Sequence, residues 1–215
     1  MALPTLSLLE TRVLGTLAEK QRTVPDAYPL TLNSLVSGCN QKTSRDPVMD
    51  ASEAEAQAAI DSLKRYSLVI ESSGGRVARY AHNIERVLQL SPETLAVLAA
   101  LMLRGPQTGG ELRIACERLH RFDSIPAVET ALKDLAGRAL AIELPRLPGA
   151  RENRWSHLLS GAPRSDAPAA PAKPAADASL GELAALKANV ARLEGEVREL
   201  TALVGRIAQE LGVKR

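Results

Sequence analysis

Apolar residues at helical spacing appear almost at once in this chain. Leu9, Val13, Leu14 and Leu17 lie three or four apart, behind a Ser7/Glu10 pair spaced as a capping box, and this predicts a helix from Ser7. A loop with Pro25 and Pro29 follows, ending at Thr31. Leu32, Leu35 and Val36 mark a second helix that stops near Asn40, and residues 41–51 are polar and contain Pro47. Ser52 and Glu55 form another capping box, and Ala56, Ala59, Ile60 and Leu63 make the stripe of a third helix. Leu68-Val69-Ile70 reads as a short strand, Ser72 to Gly75 as a turn, and Arg76 to Ala81 as the return strand.

The pattern then repeats. Ala59-Ile60-Asp61-Ser62-Leu63 through Glu71 recurs, 72 residues on, as Ala131-Leu132-Lys133-Asp134-Leu135 through Glu143. Ser91 with Pro92 opens a helix whose Leu95, Leu98, Ala99 and Met102 face inward, and Arg104-Gly105-Pro106 ends it. Thr108 and Glu111 box the next helix. Ser124 and Pro126 open the third, with Val128, Ala131, Leu132 and Leu135 inside. Leu140 to Leu144 and Arg151 to Leu158 flank a turn at Leu147-Pro148-Gly149-Ala150. Three helices closed by a β-hairpin is the winged helix, a helix-turn-helix variant. The expected fold is mainly α with small β-hairpins (α+β): tandem winged-helix domains over 5–82 and 90–160. Asn83 to Leu90 is too short for a free linker between them.

Residues 161–178 are nearly all Ala, Pro, Ser and Asp, which predicts a disordered linker. From 179 to 213 the period becomes a heptad. Leu183, Val190, Val197, Val204 and Leu211 take a positions, and Leu186, Leu193, Leu200 and Ile207 take d positions. Val at central a sites with mostly Leu at d favours a parallel dimeric coiled coil, about 43 Å long from 183 to 211. The alternative is a marginal helix docked on its own globular part.

Composition narrows the function. Apolar residues make up 45% of the chain, but aromatics only 2%, so stacking platforms for single-stranded nucleic acid are scarce. Net charge is +2, which leaves room for a local phosphate-binding patch but not a dedicated basic surface. Cys39 and Cys116 sit at matching places in the repeats and read as small buried hydrophobes, without metal-ligand spacing. No signal peptide or long apolar run is evident, so a cytoplasmic protein is expected.

Several strings resemble the bacterial YceH family. They are Glu19-Lys20-Gln21, Tyr28-Pro29-Leu30, Asn33, Cys39-Asn40-Gln41-Lys42, Arg45, Pro47-Val48-Met49, Leu103-Arg104-Gly105, Gln107-Thr108, Gly110-Glu111-Leu112-Arg113, Pro148-Gly149, Arg151-Glu152, Arg154 and His157-Leu158. Trp155 stands where that family usually has Tyr. The resemblance covers about 5–161 and implies two tandem winged helices; it implies no mechanism, since the family is functionally uncharacterised.

The candidate chemistry is that of binding. Lys42 and Arg45 are placed to meet phosphates, and Asn40 or Gln41 to read base edges. A structural role for Asn40 as a left-handed cap, and for Arg45 with Asp46 as a loop tie, stands beside this. Arg76 and Arg79 on the first hairpin, Arg151 and Arg154 on the second, and Arg113 beside Arg118 and Arg121 complete the nucleic-acid candidates. Against them, the third helix of the first module carries Glu53, Glu55 and Asp61, an acidic start for a recognition helix. His82, His120 and His157 are scattered, and no catalytic, metal or cofactor motif is present. The sequence therefore reads as a non-enzymatic protein without cofactor, small-molecule substrate or membrane contact. The expected partners are duplex DNA and a second copy or another coiled-coil chain. A protein-interaction scaffold is the alternative.

Overall fold

Side-chain caps set where the helices begin. In the computed structural model, which describes residues 5–72, 77–146 and 149–162, the order is α1 (Leu8–Thr23), β1 (Leu30–Thr31), α2 (Leu32–Cys39), α3 (Glu53–Arg65), β2 (Val69–Ser72), β3 (Arg79–His82), α4 (Ile84–Leu88), α5 (Pro92–Arg104), α6 (Gly109–Ala115), α7 (Ile125–Gly137), β4 (Ala141–Leu144) and β5 (Arg154–His157). Ser7, Ser52 and Thr108 form the expected capping boxes with Glu10, Glu55 and Glu111. Each box satisfies two N–H groups that the helix cannot. Ser124 precedes α7 without a side-chain cap bond. The fold is thus mainly helical with small antiparallel sheets, and among the described residues no helix is long and apolar enough to cross a membrane.

The duplication is visible in the backbone. Both halves run through three helices into a hairpin. After α3 and α7 the chain turns through Ser67 (φ 58) and Ala139 (φ 55), 72 residues apart and both left-handed. Leu68 N–H then closes on Leu63 O, and Leu140 N–H on Leu135 O, at 3.0 and 2.9 Å. These bonds repay the conformational cost of a positive φ in a residue with a Cβ.

Two elements exceed the sequence expectation. β1 pairs antiparallel with β3, Leu30 opposite Tyr80, and makes the first sheet three-stranded in the order β1-β3-β2. Its counterpart in the second half shrinks to one bridge, Gln107 with Trp155. The short segment 83–90 contains α4, whose end is tied to α7 by Arg138, which donates to Gln89 O at 3.0 Å and to Leu88 O. The strands β3, β4 and β5 are shorter than expected, whereas β2 runs on to Ser72; the hairpin tips at 73–76 and 147–148 lie outside the described residues, as does the chain from 163 on, with most of the linker and all of the heptad segment.

The two halves share one core. The described residues form one compact unit, and α1 packs along α5 within it. Every residue from Thr11 to Ala18 and from Thr94 to Leu103 is buried. A helix hidden all round has a neighbour on each side: here its own half and the other one. Gly15 permits the close approach, because a Cβ there would stand 2.9 Å from Leu103 Cγ and 3.2 Å from Met102 Cβ. Leu6 adds a second tie, its N–H donating to Leu159 O at 2.8 Å.

Candidate functional site

The polar loop 40–51 has no regular structure, yet several of its backbone groups are satisfied. Side chains do this. Asn40 clamps Ala51 in both directions, its amide donating to Ala51 O (2.8 Å) and its carbonyl accepting from Ala51 N (2.9 Å). With φ at −89° it is not a left-handed cap. Arg45 is buried, and its guanidinium donates to Gly38 O (3.0 Å), Ser44 O (2.9 Å) and both carboxylate oxygens of Glu19 (3.2 and 2.6 Å). Arg12, fully buried in α1, donates to Cys39 O (3.1 Å) and Pro47 O (2.7 Å). Pairing with Arg45 holds the Glu19 carboxyl below its ordinary range although burial pushes the other way. The loop is also fastened to the second half: Asp46 N–H donates to Leu103 O (2.8 Å), and Arg104 to Ser44 Oγ (3.0 Å).

Of the residues expected to meet nucleic acid, Asn40 and Arg45 are therefore committed to the loop itself. Gln41 and Lys42 line a cleft of about 450 Å³ between the two halves. Arg79 is exposed but lies over the Tyr28 loop, donating to Pro29 O at 2.8 Å. Arg113 reaches Phe122 O at 3.4 Å. Arg151 borders a shallow hollow with Arg146 among Glu129, Glu143 and Glu152, so its charge is offset locally. Arg154 is half-buried on β5, with its Nε buried and without a hydrogen-bond partner among the described residues. Arg76 and the nine heptad positions Leu183, Leu186, Val190, Leu193, Val197, Leu200, Val204, Ile207 and Leu211 lie outside the described residues.

The cleft is built by equivalent parts of both halves. The ends of α1 and α5 supply Lys20 and Arg104, and the turns after α2 and α6 supply Lys42 and Arg118. The first two were not expected as a site, because nothing in the sequence places the ends of two helices 80 residues apart beside one another. Elsewhere, the outward face of α3 shows Glu53, Glu55 and Asp61 against Arg65. Ile70 on β2 (51% exposed) and Ile142 on β4 (39%) occupy the same place in their hairpins, opposite Ala81 and Ser156. Burial pushes both cysteine thiols up, Cys116 to about 12, so neither is a ready thiolate. Among the described residues no group of three or more His, Cys, Asp or Glu could hold a metal.

Comparison with known proteins places this architecture. The profile of a family described as "Protein of unknown function, DUF480" matches residues 6–150. A UPF0502 protein of Dechloromonas aromatica is 57% identical over 204 residues, covering 94% of this chain and 95% of its own. UPF0502 proteins of Paraburkholderia phymatum and Methylibium petroleiphilum are 54% and 55% identical, each over 99% of this chain and 92% of theirs. The match spans the shared core, the loop 40–51 and the cleft residues alike, and the chain belongs to the DUF480/UPF0502 family.

Proposed function

We propose that this chain is a non-enzymatic protein-interaction scaffold, made of two tandem winged-helix modules and paired through the heptads of 179–213. One observation carries the choice over DNA: three of the side chains expected to meet nucleic acid, Asn40, Arg45 and Arg79, are engaged within the fold. Arg45 pairs with Glu19, Asn40 with Ala51, and Arg79 with Pro29 O. What α3 turns outward is acidic, and a winged helix that inserts its third helix into a major groove needs donors there instead. The hairpins offer exposed aliphatic side chains, Ile70 and Ile142, at repeated positions. Such side chains suit a protein partner better than a phosphate backbone.

Two measurements test this. A photo-crosslinking residue at position 70 or 142, introduced into the chain in its own cell, is expected to yield discrete protein adducts that the same residue at Arg86 does not. In a titration with duplex DNA at about 50 mM salt no binding is expected; binding with a steep negative salt slope would reinstate the DNA reading. The dimer has its own test. Truncation after Gly161 is expected to convert a dimer to a monomer in sedimentation analysis, and a dimer that survives truncation moves the interface into the globular unit.

A further inference from the structure

The inter-module cleft has a charge pattern that the fold does not explain. Lys20, Lys42, Arg104 and Arg118 converge on it from four segments, and its one carboxylate, Glu19, is already shared between Arg45 at 2.6 Å and Lys20 at 3.3 Å. Lys42 and Arg118 are exposed and have no ion-pair partner among the described residues. Like charges gathered in a concave site raise the local potential and favour an anion there. Thr43, Ser44 and Gln41 add neutral hydrogen-bonding groups, while Val24, Leu103 and Leu119 give the cleft an apolar wall. Its volume of about 450 Å³ lies in the range of roughly 300–1,000 Å³ typical of small-molecule sites. A half-open cleft of this volume suits a compact ligand better than the continuous backbone of a duplex.

We infer that this cleft binds a small phosphate ester of about nucleotide size, its phosphates held by Lys20, Lys42, Arg104 and Arg118 and its less polar part against the Val24–Leu103–Leu119 wall. The ligand would touch the ends of α1 and α5 and the turns after α2 and α6 together. It would therefore stabilise the packing of one module on the other, a ligand effect that follows from binding the folded state alone. This site is independent of the scaffold reading: a partner could bind the hairpins whether or not the cleft is filled.

The test uses the full chain and calorimetric titration with two probes, sodium pyrophosphate and ADP, at constant ionic strength balanced with chloride. Saturable binding with Kd below about 1 mM is expected for both, with ADP the tighter. Lys42→Glu and Arg118→Glu, at exposed positions, are expected to weaken both probes about tenfold or more, while Arg86→Glu, outside the cleft, changes them less than about twofold. An unchanged thermal midpoint without probe verifies that the reversals leave the fold intact. The inference is overturned by no saturable binding up to several millimolar, roughly the weak limit of specific affinity. It is equally overturned by binding that survives both reversals. A short duplex that binds more tightly than ADP and is weakened by the same reversals would also overturn it, assigning the cations to nucleic-acid backbone.

Discussion

Arg45→Met is expected to lower the unfolding free energy by about 3–5 kcal/mol, the cost of breaking a buried ion pair from one side. The size follows from what the guanidinium does. It is buried, it spans the Glu19 carboxylate in two bonds, and it satisfies Gly38 O and Ser44 O. Without it, Gly38 O and Ser44 O lose this donor and Glu19 keeps only Lys20. Glu19→Ala should cost a similar amount, because it strands a buried cation. The double variant Glu19→Ala/Arg45→Met should cost less than the sum of the single variants, and the difference in a double-mutant cycle measures the coupling. Lys42→Ala, three residues from Arg45 in the same polar string, should change stability by less than about 0.5 kcal/mol, as expected for an exposed side chain without a partner. Urea unfolding of the four variants at pH 7 separates these roles. A cost for Arg45→Met within that same small range would mean that the arginine is free to serve a ligand instead.

The contrast between Arg45 and Lys42 also shows where the sequence stopped being informative. The string Asn40-Gln41-Lys42-Thr43-Ser44-Arg45 looks like one polar patch, and its composition suits either a phosphate site or a loop that closes on itself. Which side chains turn inward depends on Glu19, Gly38 and Leu103, from other segments, and no local period encodes those contacts. Local signals were legible: the capping boxes at Ser7, Ser52 and Thr108 open their helices as expected, and the repeat at a 72-residue offset returns as the paired left-handed turns at Ser67 and Ala139. β1 was not legible, since two residues hold no alternation and Leu30–Thr31 is a strand only because β3 lies beside it. The inter-module interface left a trace that a single inward stripe underrates. Leu95 to Leu103 is an unbroken apolar run, more than one buried face needs, and the surplus face is the one that meets α1.

Acidification from pH 7.5 to 5 should cost the globular unit about 4 kcal/mol through two histidines alone. His82 ends β3 and His157 ends β5, and burial lowers each from 6.5 to about 4, with Arg22 adding to the shift at His82. The geometry gives the reason. His82 Nε2–H donates to the Gln21 amide oxygen at 2.8 Å, its ring is tilted against Tyr28, and Nδ1 is buried without a partner. The His157 Nδ1 is likewise buried and unpartnered among the described residues. A proton there would place an N–H with no acceptor in a dry site, and at His82 beside a cation that reaches its own carboxylate, Glu85, only at 3.9 Å. The sign follows from which state takes the proton. Between 6.5 and 4 the unfolded chain binds protons at these rings and the folded chain does not, so stability is full above 6.5 and falls as pH drops through the window. Two such sites set a limiting slope of about 2.7 kcal/mol per pH unit. Glu19, held below its ordinary value by Arg45, adds an acid loss only at lower pH, where carboxylates begin to protonate. Urea unfolding at pH 7.5, 6 and 5 reads the histidine contribution, and a further point at about pH 3.5 reads the carboxylate loss. His82→Gln/His157→Gln should flatten the profile between 7.5 and 5 while leaving the carboxylate loss below it, and a double variant that keeps the wild-type slope would show that the rings titrate normally in the folded chain.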